Sequence, residues 1–211
     1  MTTRLRFRPG TTLIELLIFM AVLAAVGMAI FPFLFSSSED RLLQQTVAAV
    51  EQNGIQLLQS IGSRVEQAES VIKPELSDSG SVLALRMGSG VLTPMVIGIN
   101  SGTLILAERG NIQDLSSSQV AVSNFRVRNT SVSATSQSIE VSFTISRTIR
   151  LQSPHSYSQE FRAAFSLFPD DVPVETGCDC AVPGCADSNT FVWQICEEGA
   201  CLTTQASMTC P

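Results

Sequence analysis

Hydrophobic and polar residues recur with different periods along the chain, and each change of period marks a new element. Residues 11–35 are almost continuously apolar, with Glu15 as the only charged side chain. From about Glu39 to Ile72, apolar and small residues recur in steps of three and four, which is the spacing of one helix face. Pro74 follows and predicts the end of that helix. The pattern therefore predicts one long helix whose first part is apolar on every side.

Gly54 lies on the apolar face of this predicted helix. Glycine costs about 1 kcal/mol relative to alanine in a helix interior, so a reason for its presence is expected. The close approach of a strand would supply one, because glycine has no side chain to obstruct it. Simple tolerance of the glycine is the alternative.

From Ser81 onward the period changes to two, which predicts short strands separated by turns. The predicted strands are VLALR, MVIGI, TLILAE, NFRVR, IEVSFTISR and EFRAAFSLF. IEVSFTISR alternates strictly, so it is expected to bury one face. NFRVR and EFRAAFSLF are its expected neighbours in the sheet. Asn100, Ser101 and Gly102 predict a tight hairpin between the second and third strands. The predicted fold class is α+β, a long N-terminal helix packed on an antiparallel sheet.

Composition excludes several classes of function. The 211 residues leave room for one globular domain and an appendage, and the net charge of −6 would repel phosphate backbones. Nucleic acid is therefore not expected as a partner. A basic patch of Arg126, Arg128, Arg147 and Arg150 is conceivable, but solvated strand faces are their expected role.

Catalytic motifs are absent from the sequence, and we do not predict an enzyme. His155 is the only histidine, which excludes multi-histidine metal sites. It follows a serine and a proline, and an exposed loop position is expected for it. The chain contains no nucleophile elbow, glycine-rich phosphate loop or paired-carboxylate motif.

The N-terminus has the features of a membrane-directed segment. Met1–Gly10 contains three arginines and no acid, and the next uncharged stretch, Leu16–Phe35, has twenty residues. Such a stretch is long enough to span a hydrocarbon core of about 30 Å, with the basic side left in the cytoplasm. A secretory signal usually has a shorter apolar region. Glu15 is costly in lipid and needs a partner.

These residues resemble the N-terminal signal of the type IV pilin and pseudopilin superfamily, in which a basic leader ends in glycine, here Gly10, and a glutamate follows at the position of Glu15. The resemblance covers Arg4–Phe35. It implies that prepilin peptidase cuts after Gly10 and methylates the new amino terminus, Thr11, although most members have phenylalanine there. It also implies that Glu15 pairs with the amino terminus of a neighbouring subunit. Family members commonly have a proline at the position of Pro32, where the helix would bend or loosen.

The last 43 residues, the tail, are acidic and contain every cysteine of the chain, so a distinct module is expected there. The six are Cys178, Cys180, Cys185, Cys196, Cys201 and Cys210. Their spacing does not match structural zinc sites, and disulfides formed in an oxidising compartment are expected, with fifteen pairings open. Calcium at the tail carboxylates is an alternative to a solvated acidic surface. Trp193, the only tryptophan, is either a recognition anchor or part of a small core.

The sequence thus predicts a leader at 1–10, a transmembrane and assembly helix at 11–35, a globular domain at 36–168 and the cysteine-rich tail at 169–211. The resemblance implies a minor pilin or pseudopilin, most similar to the larger J or W type. It would lie in the cytoplasmic membrane with its C-terminal domain outside, and then in a fibre. Its implied partners are other subunits, prepilin peptidase, the inner-membrane assembly platform and membrane lipid, with no cofactor. An anchored binding or adhesion module that does not polymerise is the alternative.

Overall fold

The computed structural model describes residues 13–87, 94–108, 111–133, 136–150, 154–167, 180–197 and 200–210, apart from the side chains of 31–40, 150, 154 and 197. Within these ranges the elements are α1 (Leu13–Glu66), β1 (Ala68–Lys73), β2 (Ser79–Gly80), β3 (Leu83–Met87), β4 (Pro94–Asn100), β5 (Thr103–Glu108), β6 (Asn111–Asp114), β7 (Ala121–Asn129), β8 (Ser138–Arg150), β9 (Pro154–Ser166), β10 (Gly184–Asp187), β11 (Thr190–Glu197) and β12 (Ala200–Ser207). The chain divides into two compact units, Met1–Gln45 and Thr46–Pro211. An N-terminal apolar helix followed by antiparallel sheets confirms the predicted class in its coarse form.

The described residues of the second unit form three antiparallel sheets, in addition to the last part of α1. The first sheet has the order β1-β3-β4-β5-β6, the second β2-β7-β8-β9 and the third β10-β11-β12. Each of the six predicted strands corresponds to an observed one, and β8 lies between β7 and β9 as predicted. The predicted hairpin is also confirmed, because Asn100 pairs with Thr103. Its two turn residues, Ser101 and Gly102, have φ values of 49° and 84°, as a tight two-residue hairpin requires.

The helix ends earlier than predicted. It stops at Glu66, and Ala68–Lys73 forms β1, which pairs with β3. Residues four apart share a face in a helix and also in a strand, so the apolar step from Ala68 to Ile72 fits both elements. Pairing with a neighbouring strand decides between them. Pro74 consequently follows a strand and not a helix.

Part of α1 contributes to the main hydrophobic core of the second unit. This core, the inner cluster, comprises Val50, Leu57, Ile61, Val65, Ala68, Leu83, Leu85, Met95, Ile97, Leu104, Leu106, Val120, Val122, Phe125, Val127, Ile139, Val141, Phe143, Ile145, Phe161 and Leu167. Its members come from α1, from the first sheet and from the second sheet. Burying their side chains contributes roughly 1.5–3 kcal/mol for each large one.

Two glycines of α1 leave room for aromatic side chains of β9. A Cβ added at Gly54 would overlap the ring of Phe161, and one added at Gly62 would lie 2.6 Å from Cε1 of Phe165. The two phenylalanines lie four residues apart on β9, so they share a face of that strand. Aromatic rings of β9 therefore fill the space at both glycines, which gives Gly54 a packing role, while the close approach of the strand itself stays a prediction.

The central strands of the first sheet are buried on both faces. In β4, Met95 and Ile97 belong to the inner cluster, whereas Val96 between them belongs to a second core. This second core, the outer cluster, comprises Val82, Ala84, Val96, Ile105, Ala107, Phe191, Trp193, Ala206, Met208 and Cys210. Its last five members come from the third sheet and the residues after it. The third sheet therefore covers the outer face of the first sheet.

Disulfide bonds connect early and late segments of the described part of the tail. Cys180 bonds to Cys201 and Cys185 to Cys210, with Cα atoms 5.6 and 6.0 Å apart. Cys196 is also disulfide-bonded. The prediction of disulfides is thus confirmed for the described cysteines.

The described part of the tail is a layer of the second unit and not the separate module that its composition predicts. Trp193 is only 1% exposed and packs in the outer cluster, so it is a core residue and not an exposed anchor. After β12, Met208 packs against Gly98 of β4, and the backbone N–H of Thr209 donates to the carbonyl of Ile99 at 2.8 Å. The chain end is therefore bound to the first sheet.

We predict that Gly54→Ala lowers the free energy of unfolding by about 1–3 kcal/mol, because the added methyl group overpacks the Phe161 ring. That ring is stacked on Phe143 with centroids 5.7 Å apart and cannot move away freely. Urea denaturation of the detergent-solubilised chain measures the effect. Gly27→Ala is the matched control, since no heavy atom lies within 4 Å of its added Cβ. A Gly54→Ala chain as stable as the control would contradict the packing of Phe161 at Gly54.

We also predict that replacing Cys185 and Cys210 by serine destabilises the third sheet by about 3 kcal/mol, the usual contribution of a disulfide of this loop length. Trp193 is the only tryptophan, so its fluorescence reports this layer selectively. In urea its emission should shift to the red before the far-ultraviolet circular dichroism of the whole chain changes. Serine at Cys180 and Cys201 should affect Trp193 less, because Cys201 is exposed. If the fluorescence and circular dichroism transitions coincide in both variants, Cys185–Cys210 does not stabilise the layer around Trp193 selectively.

Candidate functional site

The N-terminal part of α1 presents an apolar surface without cover. The 18-residue window Leu13–Ile30 has a mean hydropathy of 2.6, and none of it is buried. At 1.5 Å rise per residue these residues extend about 27 Å, close to the thickness of a hydrocarbon core. By length and composition this helix could cross a membrane. So large an apolar surface is unfavourable in water and requires lipid or other helices around it.

Glu15 interrupts this apolar surface in the first turn of α1. It is exposed, and so are Ile18 and Phe19, which lie on the same side of the helix three and four residues later. A carboxylate in apolar surroundings needs a hydrogen-bonded partner of opposite charge. Gly10 and Thr11, predicted to mark the processing site, lie outside the described residues, as does Cys178 of the tail.

Pro32 lies within α1, whose assignment is unbroken from Leu13 to Glu66. Proline has no backbone N–H, so it cannot donate the usual hydrogen bond to the carbonyl four residues earlier. The helix nevertheless continues through it and through the three serines that follow at 36–38. A bend or loosening at Pro32 stays a prediction.

The arginines considered for a basic patch do not all share a face. Arg126 and Arg128 of β7 are opposite Ser142 and Glu140 of β8, which are even-numbered positions of that strand. Arg147 occupies an odd-numbered position of β8, and successive side chains of a strand point to opposite faces. The continuous basic surface considered for DNA is therefore divided.

An acidic residue also lies among the arginines on the face of the second sheet that carries Arg126 and Arg128. Nε of Arg162 donates a hydrogen bond to Oε1 of Glu140, and the two form an ion pair. This hydrogen bond is the largest cause that holds the pKa of Glu140 below its ordinary value, and the charges of Arg162 and Arg128 act in the same direction. The pair raises the pKa of Arg162 in turn. Arg162 is exposed and Glu140 is partly exposed, so solvent screens the pair and it adds little stability.

His155 lies in β9 and not in the predicted loop. It is exposed, as expected, and it pairs with Ile149 of β8. The two arms of this hairpin are thirteen residues each, longer than the alternation of IEVSFTISR indicated. A cavity of about 560 Å³ is lined by residues including Arg126, Ser142 and Glu160, and His155 is not among them. Within the described ranges no three side chains of His, Cys, Asp or Glu come together as a metal site would require.

We find no match for this chain among protein-family models, curated proteins or solved structures. The chemistry of its own residues is therefore the guide to its function. The parts of the molecule that could carry a function are the uncovered apolar helix with its single carboxylate, and the exposed surfaces of the second unit.

A further feature was missed in the sequence. Between Glu140 and Glu160 the chain has no acidic residue but contains Arg147, Arg150 and His155. The register of β8 and β9 brings all three to the hairpin end, defined here as residues 147–150 and 154–157. The absence of acids is visible in the sequence. The placement of Arg147, Arg150 and His155 at one end of the hairpin, however, depends on the register of β8 and β9.

Proposed function

We propose that this chain is a minor pilin or pseudopilin, a structural subunit that prepilin peptidase cleaves after Gly10 and that joins or initiates a helical fibre. The observation that carries the proposal is the position of Glu15, one exposed carboxylate in the first turn of an uncovered apolar helix. The hydrocarbon core of a membrane can cover the apolar side chains, but it offers the carboxylate no partner. The amino terminus of a neighbouring subunit, at Thr11, offers one.

The arrangement of α1 supports the same proposal. Its first part is uncovered, while Val50, Leu57 and Ile61 of its last part are buried in the inner cluster. A helix of this kind can anchor in a membrane or bundle with other helices and still belong to a folded domain. The proposed architecture is that of a pilin, with a long helix that spans the membrane in its first half and packs on an antiparallel sheet in its second.

The disulfides support an exported second unit. They form in oxidising compartments, which agrees with a single span whose C-terminal side lies outside the cytoplasm. The subunit would then be drawn from the cytoplasmic membrane into a periplasmic or cell-surface fibre by the assembly platform. Its work would be binding to other subunits, without a reaction or a cofactor.

A membrane-anchored binding module is the second candidate. The cavity of about 560 Å³ between β7 and the chain end has the size of a small-ligand site. Such a module would bind through the second unit and would not polymerise. Glu15 would then have no partner to recognise, and this separates the two functions.

For the processing step, we predict that the membrane-derived protein begins at Thr11, with or without one added methyl group. Intact mass and N-terminal sequencing measure this directly. Gly10→Val should leave the leader attached, because the proposed cut follows a glycine, while Pro9→Ala serves as the control and should be processed. A mature protein that begins at Met1 would rule out prepilin processing.

For assembly, we predict that Glu15→Leu lowers incorporation into fibres about a hundredfold. The change would leave the neighbouring ammonium unpaired in apolar surroundings, at a cost of roughly 3 kcal/mol or more. Quantitative immunoblotting of sheared fibres against the membrane fraction measures the ratio. Ile18→Leu on the same side of the helix is the matched control and should behave like the wild type. Unchanged incorporation of Glu15→Leu would favour the anchored module.

A further inference from the structure

A cavity of about 560 Å³ in the second unit is lined by two side chains of opposite charge, Arg126 and Glu160. In the part of the chain that the structure describes, neither of them forms an ion pair or a side-chain hydrogen bond. The volume lies within the range of small-ligand sites, in which a few polar groups orient the ligand. Both charges are therefore available to a ligand.

The register of the second sheet explains why Arg126 has no acidic partner. Arg126 and Arg128 lie on the same face of β7, but Arg128 is opposite Glu140, whereas Arg126 is opposite Ser142. Glu140 also accepts a hydrogen bond from Arg162 of β9, so two arginines already surround this carboxylate. Arg126 has a hydroxyl group beside it instead. A guanidinium and a hydroxyl group can both donate hydrogen bonds to the oxygens of an anion.

Glu160 adds a negative charge on the same face of the sheet. It lies in β9 opposite Thr144, two residues along β8 from the partner of Arg126. The arginine two residues further along β9, Arg162, is already paired with Glu140. The spacing of neighbouring strands and the rise along them place the Cα atoms of Arg126 and Glu160 about 12 Å apart. The cavity therefore has a positive end and a negative end.

Uncharged polar groups make up much of the remaining lining. Ser79 and Thr209 supply hydroxyl groups, and Asn124 supplies a side-chain amide. Asn124 has a φ of 53° and lies at the irregularity of β7 between Ser123 and Arg126, and such bulges change the direction of the side chains near them. Hydroxyl and amide groups can donate hydrogen bonds to peptide groups and accept them. The lining thus offers partners for two opposite charges and for neutral polar groups.

We propose that this cavity binds a short peptide whose amino and carboxyl termini are both free. Arg126 and Ser142 bind its carboxylate, Glu160 binds its ammonium group, and the uncharged polar groups of the lining contact its peptide bonds. An extended tripeptide spans about 10 Å, which is close to the separation of the two charged positions. The site depends neither on processing of the leader nor on fibre assembly, so its failure would leave the proposed subunit function unaffected.

Isothermal titration calorimetry of the detergent-solubilised full chain with trialanine tests this proposal. Trialanine should bind saturably. Capping either terminus, by N-acetylation or by C-amidation, should weaken binding about tenfold, because each cap removes a hydrogen bond between charged groups. Capping both termini should weaken it further.

Two variants assign the peptide termini to the two side chains. Arg126→Gln should lose the preference for the free carboxylate over the amide and keep the preference for the free ammonium group over the acetylated one. Glu160→Gln should show the reverse, and the preference that each variant keeps shows that it is folded. Arg128→Gln is the matched control, because it removes the same charge from the same face of β7 outside the cavity lining. It should bind trialanine like the wild type.

Each result of the titrations has a definite meaning. Absence of saturable binding, or equal binding of free and capped trialanine, would overturn the proposal. An equal loss of affinity in Arg126→Gln and Arg128→Gln would indicate attraction by net charge alone and would also overturn it. If the single amino acid alanine binds as tightly as trialanine, the cavity is a site for free amino acids and not for peptides.

Discussion

The burial of β3, β4 and β5 on both faces is the constraint on which the second unit depends. Alternate residues of these strands belong to two different hydrophobic clusters, so each face needs its own cover. Part of α1 and the second sheet contribute to the inner cluster, and the third sheet covers the other face. Loss of either cover would expose valine, leucine and isoleucine side chains that stabilise the unit by roughly 1.5–3 kcal/mol each. The disulfides are therefore important to more than the tail, because they hold one of the two covers in its folded form.

Local patterns predicted the strands well, because alternation with a period of two is caused by the strand itself. IEVSFTISR, for example, became the centre of a sheet with the neighbours expected for it. The end of α1 was not predictable in the same way, because Ala68 and Ile72 satisfy helix and strand spacing equally and pairing with β3 decides the outcome. The role of the tail was missed for another reason. Its cysteines and acids suggested an independent module, although the consecutive apolar residues of MVIGI and TLILA already indicated strands that need cover on both faces.

The candidate sites differ in how far sequence can identify them. Glu15 is recognisable from its position in an apolar run, since its chemistry depends on a few neighbouring residues. The hairpin end is different, because it depends on the pairing between β8 and β9. Gly54 is an example of a residue whose role depends on a contact with a distant part of the chain. It looked like a weak position of the helix, and it is the position at which an aromatic ring of another element packs.

The order of the layers along the chain also bears on how the molecule completes its fold. The third sheet and the residues after it are last in the chain, yet they cover strands that begin at Leu83. Until this last segment has arrived and its cysteines have been oxidised, the outer face of the first sheet is exposed. Because β3, β4 and β5 also form one side of the inner cluster, the surface on which Val50, Leu57 and Ile61 are buried is fully stabilised only then. If the chain is the exported subunit that we propose, completion of its C-terminal layer stabilises the domain that its N-terminal helix must carry into the fibre.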